Sequence, residues 1–565
     1  MARWATAEMD REQIALFSPT LDSMIPADHP VRLVDEILSA LDWSAWEAQY
    51  HGRLGQPPIH PRIVASVILY GLSLGIRSSR ALERACGNAI DFMWLTSGRA
   101  IDHSTICDFR TRFGKELKDV FRQMARVARS MGLVRLNQVG LDGTRVKANS
   151  ARDGTRTARS LAAEVAALDE AIEQMFAEAE QADVRDGELF ESGQSANKLP
   201  GELAELGRRQ ERLAAALAAA QAKDLARGVG RGADGASAES ADASNPSIGT
   251  AGAPTPSGGT NEGSTPSAGA SAEPKSSAAA AKKAKPSAVP VADPDSTIQP
   301  NKEGGFAPNY TPLATVDGQA GLIVDNDVLA DSDEARETVA TVDRVTETFG
   351  AKPEQFLADT SHGTGPNLED LGQRQVDAYI PIQHRPDGPD NPAHRADPSQ
   401  PVAESEWPKL PWNPQHKMLD RAAFVYDASA DGYYCPMGQL LSPVRRTSNH
   451  TEYQCTACPT CPLRARCVRS KTGYRVVTRD PYEPLREAME AKLKTAAGQA
   501  AYGRRRWLCE TVFGTIKGAL GVRQFLLRGL DKVKIEWDWV CTAFNLKKLV
   551  RAIGSLRVRL AGLMG

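Results

Sequence analysis

Three acidic residues stand where carboxylates can hold divalent metal ions. Asp142 and Asp359 each end a short apolar stretch, VGLD and QFLAD, that predicts a β-strand. Glu510 lies in a predicted helix, where Arg506, Glu510 and Lys517 share one face by helical spacing. Ligands of open α/β sheets bind at the carboxyl ends of strands. Three carboxylates so placed predict a site for two Mg²⁺ or Mn²⁺ ions, which would clamp both oxygens of a phosphoryl displacement.

Each of these acids also has an ordinary interpretation. Glu510 follows Arg506 by four residues, and a surface ion pair of that spacing contributes only a few tenths of a kcal/mol. Aspartate after a strand is more often a turn or capping residue than a metal ligand. The three acids alone therefore leave both interpretations open.

Five cysteines lie between Cys435 and Cys467, which in a protein without a secretion signal favours metal over disulfides. Cys435, Cys458, Cys461 and Cys467 predict a structural Zn²⁺ site with four thiolates. The pair Cys455-x2-Cys458 is an alternative, so the membership of the site stays open. Buried or free cysteines without metal are the competing interpretation.

Basic residues collect near the starts of predicted helices in the N-terminal region. Arg62 to Leu74 predicts an apolar helix, and the short turn SLGIRSS after it is typical of helix-turn-helix units. Arg77, Arg80, Arg84 and Arg110 surround this turn and predict binding to double-stranded DNA. The alternative for any one of them is a solvated helix face.

The totals limit the class of protein. The chain has 565 residues and a net charge of −2, so a nucleic-acid partner must be recognised from local clusters. The longest apolar stretch, Ile63 to Ile76, is too short for the roughly 18 residues of a membrane span. We expect a cytoplasmic, nucleoid-associated protein without a membrane partner.

Composition and periodicity divide the chain into seven segments. The predicted segments are a helical DNA-binding domain (1–135), the first part of an α/β catalytic core (136–154), a coiled-coil-like helical insert (155–227), a disordered low-complexity linker (228–300), the second part of the core (301–382), a Cys-rich insert (383–480) and a C-terminal helical part of the core (481–565).

The core segments give more detailed predictions. Asp142-Gly143 predicts a β-hairpin turn, with Asp142 ending the first strand. The predicted strands are 311–317, 320–330, 355–359 and 376–382, and the predicted helices are 333–349, 366–373, 482–498 and 534–560. A strand, a crossover helix and a second strand imply that strands 355–359 and 376–382 pair in parallel.

Several segments together resemble the DDE transposases of bacterial insertion sequences, in the branch with a helical N-terminal domain and a Cys-rich insert. The similar segments are HPVRLVDEIL, LDGTRVKANSA, NYTPLATVD, FLADTSHG with NLEDL, AYIPI, the Cys segment and YGRRRWLCETVFGTIKGALGVRQFLLRG. The resemblance implies a ribonuclease-H-like core with Asp142, Asp359 and Glu510 as catalytic acids. It also implies that Tyr502, Arg506 and Lys517 contact DNA, although Tyr502 lies one residue further from Arg506 than in the usual signature.

By this resemblance we expect a transposase that binds the terminal inverted repeats of its element, cuts them with metal-activated water and joins them to target DNA. Because two ends must be held together, we expect at least a dimer. Two alternatives remain: a nuclease of the same fold without strand transfer, and a non-catalytic DNA-binding protein derived from a transposase.

Overall fold

The computed structural model describes residues 19–50, 57–187, 201–226, 286–301, 304–382, 388, 390–470 and 472–564. The chain forms two compact units, Met1–Arg152 with Asp295–Gly565, and Asp153–Pro294. Each unit is described by itself.

Helices and strands alternate irregularly along the described residues. The helices are α1 (Pro30–Ser39), α2 (Ser44–Ala48), α3 (Pro61–Ser73), α4 (Ser79–Asn88), α5 (Ile90–Leu95), α6 (His103–Arg112), α7 (Gly114–Ser130), α8 (Ala158–Gly187), α9 (Gly201–Ala226), α10 (Glu337–Phe349), α11 (Gly365–Gln373), α12 (Arg464–Cys467), α13 (Glu483–Lys494), α14 (Ala496–Gly518) and α15 (Leu530–Met564). The strands are β1 (Gln138–Gly143), β2 (Val146–Lys147), β3 (Thr155–Thr157), β4 (Ala288–Pro290), β5 (Thr297–Pro300), β6 (Phe306–Asp317), β7 (Ile323–Leu329), β8 (Gln355–Leu357), β9 (Asp377–Tyr379), β10 (Trp412–Asn413), β11 (Met418–Leu419), β12 (Val425–Asp427), β13 (Gly432–Tyr434), β14 (Leu440–Arg446), β15 (Thr451–Gln454) and β16 (Val476–Arg479).

The first unit is organised by a mixed seven-stranded sheet. Its central order is β2-β6-β1-β8-β9, and β5 and β7 also pair with the long β6. Strand β1 is antiparallel to β6 and parallel to β8, and β8 is parallel to β9. The predicted parallel pairing around the crossover helix α11 is therefore confirmed.

The predicted hairpin at Asp142-Gly143 is wrong. Strands β1 and β2 follow one another closely, but both pair with β6: Asp142 lies opposite Ala314, and Lys147 lies opposite Asn309. Strand β6 is long enough to pair with both β1 and β2, one after the other along its length. Its own hairpin with β7 matches the predicted strands around Asp317-Gly318.

One hydrophobic core joins the N-terminal helices to the sheet. Trp46, Val139, Leu313 and Trp539 belong to the same buried cluster, which runs from α1 to α15. The Pro61 start of α3 follows the predicted breakers, and almost every side chain of that helix is buried. Within the described residues, the segment 1–135 therefore has no hydrophobic core separate from that of the sheet.

The second unit is built on two helices. Helices α8 and α9 pack through Leu161, Leu168, Leu213 and Ala216, in keeping with the predicted helical insert 155–227. Of the predicted linker 228–300, residues 228–285 lie outside the described residues.

The predicted C-terminal limit of the linker is wrong. Residues 288–290 form β4, which pairs with β3, and residues 297–300 form β5, which pairs with β6. Such short strands depend on distant partners that composition does not reveal.

The predicted Cys-rich insert contains its own small sheet. Strands β12 to β16 follow one another as an antiparallel meander. Leu441, Tyr453 and Val477 belong to a buried cluster that also contains four of the cysteines. None of the helices among the described residues combines the length and apolar character that crossing a membrane requires.

Candidate active site

Asp142 and Asp359 lie at the same edge of the sheet. Asp142 is the fifth residue of β1, and Asp359 follows β8 by two residues. Because β1 and β8 are adjacent and parallel, their carboxyl ends meet. The Asp359 side chain caps the turn Thr360–His362 by accepting a hydrogen bond from the Ser361 amide. The fold therefore brings the two aspartates to one edge of the sheet, as their predicted positions at strand ends imply.

Arg505, which the sequence analysis missed, connects these two aspartates. Its Nη2 lies 2.9 Å from Asp142 Oδ1 and 3.8 Å from Asp359 Oδ2. The Arg505 and Asp142 side chains are each 18% exposed, so the pair is largely removed from water. Helical spacing is the signal that could have found it, because Arg505 shares a face with the buried Leu508 and Cys509.

Gly140 of β1 allows α14 to approach this edge closely. A Cβ atom at Gly140 would lie only 3.0 Å from Cys509 Sγ and 3.6 Å from Leu508 Cδ1. Glycine therefore lets the buried face of α14 pack directly on β1, and this brings Arg505 within reach of Asp142.

The two aspartates have opposite pKa shifts. Burial raises the pKa of Asp142 to about 6, with the carboxylates of Glu334 and Asp359 adding to the rise and Arg505 opposing it. Burial also acts to raise the pKa of Asp359, but hydrogen bonds from Ser361 and the nearby His362 and Arg505 outweigh it, so this pKa lies below its ordinary value. The sheet edge that carries Asp142 and Asp359 therefore has more negative charge than the single Arg505 side chain can neutralise.

Glu510 is exposed on α14. Its Oε2 is 3.3 Å from Arg506 Nε, and the two side chains are 63% and 83% exposed. This geometry is that of the surface ion pair considered from the sequence. Arg505 contacts both Asp142 and Asp359, whereas the partner of Glu510 is Arg506.

Lys517 and Tyr502, the other two predicted residues of α14, both contact the sheet region. Lys517 Nζ donates to Thr144 Oγ1 at 2.6 Å and to the Arg145 carbonyl at 2.9 Å, which fixes the loop after β1. Tyr502 is half-buried beside Arg505, and burial raises its pKa. In this arrangement Lys517 positions the loop that follows Asp142.

The predicted DNA-binding arginines of the N-terminal region fall into two groups. Arg77 is held by Glu536 Oε1 at 3.0 Å and by the carbonyls of Gly521 and Gln524. Arg110 Nη1 donates to the Arg77 carbonyl at 2.6 Å, and burial lowers its pKa. Arg77 and Arg110 thus connect the N-terminal helices to the segment between α14 and α15.

Arg80 and Arg84 differ from that pair because both are exposed on α4. Their guanidinium groups are available to contact phosphates. The prediction of DNA binding therefore stays applicable to these two residues, while Arg77 and Arg110 are occupied by protein partners.

The five clustered cysteines line one pocket of about 230 Å³. Cys455 lines this pocket together with Cys435 and Cys458, so it belongs to the same cluster. Burial raises the pKa of Cys458, Cys461 and Cys467. Thiols are suitable donors for Zn²⁺. The set of four cysteines predicted from spacing does not include Cys455.

The described part of the chain contains no group of three His, Cys, Asp or Glu side chains arranged to hold a metal ion. The sheet edge that carries Asp142 and Asp359 nevertheless offers donor atoms that suit an ion such as Mg²⁺. Asp142 and Asp359 are hard oxygen donors at one place, and both already attract a cation, Arg505. Mg²⁺ is commonly held by one or two carboxylates plus oxygens of the substrate, so two aspartates suffice.

Two regions of the chain match known protein families. Residues 434–550 match the family described as "Transposase DDE domain", and residues 19–112 match the family described as "Transposase domain (DUF772)". None of the curated proteins compared with the chain matches it. The two matches indicate a DDE transposase of an insertion sequence, which confirms the resemblance stated from the sequence.

A DDE transposase domain indicates an enzyme of the polynucleotidyl transferase and nuclease type. The first match includes Arg505, Arg506, Glu510 and Lys517, while Asp142 and Asp359 lie outside both matches. Enzymes of this family generally use divalent metal ions and act on DNA. The assignment of the two aspartates rests on the geometry of the sheet edge.

Proposed function

We propose that the protein binds the terminal inverted repeats of its insertion sequence and catalyses metal-dependent cleavage and transfer of their DNA strands. The observation that carries this proposal is the meeting of Asp142 and Asp359 at one sheet edge, beneath a helix that lies in the DDE-domain match. The strand order β7-β6-β1-β8-β9, antiparallel on one side and parallel on the other, supports a ribonuclease-H-like core.

In this proposal, Asp142 and Asp359 hold one or two Mg²⁺ or Mn²⁺ ions, and Glu510 is the third acid. Bound metal lowers the pKa of water and stabilises charge on the attacking and leaving oxygens. Arg505 offsets part of the negative charge of the two aspartates in the free protein. Lys517 holds the loop after Asp142 in position, since it bonds Thr144 and Arg145.

The exposed cations on α14 and α4 are the proposed phosphate contacts. Arg506 is almost fully accessible, and Arg80 and Arg84 lie on an exposed helix face. Arginine contacts to phosphates position a duplex without reading its sequence. Since two element ends take part in one reaction, we also propose that the active form is at least a dimer.

The test uses purified full-length protein and a labelled DNA fragment that contains the sequence flanking the coding region. We expect nicking at one defined position that requires Mg²⁺ or Mn²⁺. Asp142→Asn should reduce this cleavage by more than about 100-fold, beyond the effect of typical residues that only support a metal ligand. Asp427→Asn, at an exposed turn of the small sheet, is the matched control and should leave the rate unchanged.

Joined products on a second DNA separate a transposase from a nuclease of the same fold. Glu510→Gln should abolish cleavage and leave the thermal midpoint unchanged, because Glu510 is exposed. Binding of the flanking DNA with no cleavage by the wild type, on single or paired ends, would contradict the proposal. It would favour the DNA-binding alternative.

A further inference from the structure

A fourth acidic residue, Glu334, lies beside the two aspartates. It begins the turn Glu334–Arg336 that follows β7 and precedes α10. A Cβ atom at Gly143 would collide with the Glu334 carboxylate, at 2.6 Å from its Cδ. Glycine after Asp142 therefore leaves room for a carboxylate that comes from a different part of the chain.

The imidazole ring of His362 lies next to the Glu334 carboxylate. The His362 ring is completely buried, and its Nε2 lies 3.8 Å from Glu334 Oε2 and 3.8 Å from Asp359 Oδ1. Its Nδ1 is 2.8 Å from Thr338 Oγ1. The Thr338 hydroxyl also donates to the Ala335 carbonyl, so the ring is fixed in orientation by the turn that carries Glu334.

Two polar atoms at this place have no hydrogen-bond partner among the described residues. They are Glu334 Oε2 and His362 Nε2, both buried and facing one another. Buried polar atoms are normally paired, and exceptions cluster where a protein binds a ligand or does chemistry. His362 Nε2 lies equally close to Asp359 Oδ1, so the unpaired atoms border the aspartate that is proposed to hold the metal.

The balance of charge supports the same conclusion. Three carboxylates, from Asp142, Asp359 and Glu334, lie near a single guanidinium, that of Arg505. Uncompensated carboxylates repel one another in the free protein and attract a divalent cation strongly. The arrangement costs stability without a cation, as is typical of functional sites.

We propose that Glu334 is a positioning residue of the acidic edge, and that its charge, for which Gly143 leaves room and which lies beside His362, increases the affinity of Asp142 and Asp359 for a divalent cation. This inference rests on the proposed function, since it concerns the same edge. It assigns a role to an acid that lies outside both family matches.

The experiment compares Glu334→Gln with Asp331→Asn in the full-length protein. Asp331 is three residues away, exposed and paired with Arg336, so its substitution removes the same charge from the same segment. Binding of Mn²⁺ is measured by the electron paramagnetic resonance signal of the free ion. Thermal unfolding is measured without metal, and DNA cleavage is measured over a range of Mn²⁺ concentrations.

We expect Glu334→Gln to weaken Mn²⁺ binding by at least about 10-fold, the lower range for residues that support metal ligands. Cleavage should fall at low Mn²⁺ and recover at high Mn²⁺. The thermal midpoint without metal should be unchanged or higher, because a repelling charge is removed. A purely structural role would lower that midpoint, so these readouts distinguish the two. Asp331→Asn should match the wild type.

Unchanged Mn²⁺ affinity in Glu334→Gln would overturn the inference. A lower thermal midpoint without metal that accompanies the weaker binding would overturn it as well, by assigning Glu334 a structural role. Failure of the proposed function has a different signature: wild type and Asp142→Asn would then cleave DNA equally, or neither would cleave it.

Discussion

The two faces of α14 carry the same chemical pair, an arginine with a carboxylate, in opposite environments. Arg505 and Asp142 are largely buried against the sheet, whereas Arg506 and Glu510 are mostly exposed. Attraction between charges is strong where water is excluded and weak where water and salt screen it. The buried pair can therefore set the charge of the sheet edge that carries Asp142 and Asp359, while Arg506 and Glu510 stay accessible to solvent.

The start of α4 repeats this contrast. Arg77 is fixed by Glu536 and by two carbonyls, while Arg80 is exposed three residues later. Arg77 and Arg80 thus have different roles, and the difference between them is that Arg77 is largely buried and Arg80 is exposed.

Arg77→Ala should lower the free energy of unfolding by about 3–5 kcal/mol, the usual cost of removing one partner of a buried ion pair. Glu536 would remain buried with its charge uncompensated. Denaturant titration measures the change. Arg80→Ala is the matched control and should leave stability unchanged while it reduces the salt dependence of DNA binding by about one unit of slope. Equal losses of stability in the two variants would contradict the contrast.

The raised pKa of Asp142 predicts a pH dependence of stability. An acid whose folded pKa is about 6, above the ordinary value of 3.8, makes the folded state bind more protons than the unfolded state. The free energy of unfolding should therefore fall as pH rises from about 4 to 6, by roughly 3 kcal/mol at full effect.

The measurement is denaturant titration across this pH range in the presence of a chelator, with Asp142→Asn as the variant that lacks the group. Asp359 contributes with the opposite sign and at lower pH, because its folded pKa is depressed and its stabilisation is lost as pH falls. Parallel profiles for wild type and Asp142→Asn would show that the Asp142 carboxyl is not responsible.

Arg505→Ala should lower the free energy of unfolding by about 1–3 kcal/mol at neutral pH, since a buried charged acceptor loses its partner. Added Mg²⁺ should restore part of that loss, because a divalent cation can replace the guanidinium. Arg506→Ala, one residue along, should cost only a few tenths of a kcal/mol. If Mg²⁺ stabilises both variants equally, Arg505 does not compete with metal for the aspartates.

Part of the fold could be predicted from local patterns. The strands that end near Asp142 and Asp359, the crossover helix that follows Asp359 and the helix that carries Glu510 all follow from apolar periodicity and turn residues. The pairing of β1 and β2 with β6 could not be predicted, because the partner strand is so far away along the chain that Val139 pairs with Asp317 and Lys147 with Asn309. The shared core of the N-terminal helices and the sheet depends on equally distant contacts.

The sequence by itself determined the class of this protein and the types of residues that do its chemistry. Hydrophobic periodicity fixes helices and strands locally, and the order of the motifs marks a DDE transposase. Only the tertiary structure decided which charges meet. Arg505 and Glu334 reach Asp142 because Gly140 and Gly143 admit them, and burial then gives these groups a strength that the exposed Arg506 and Glu510 lack.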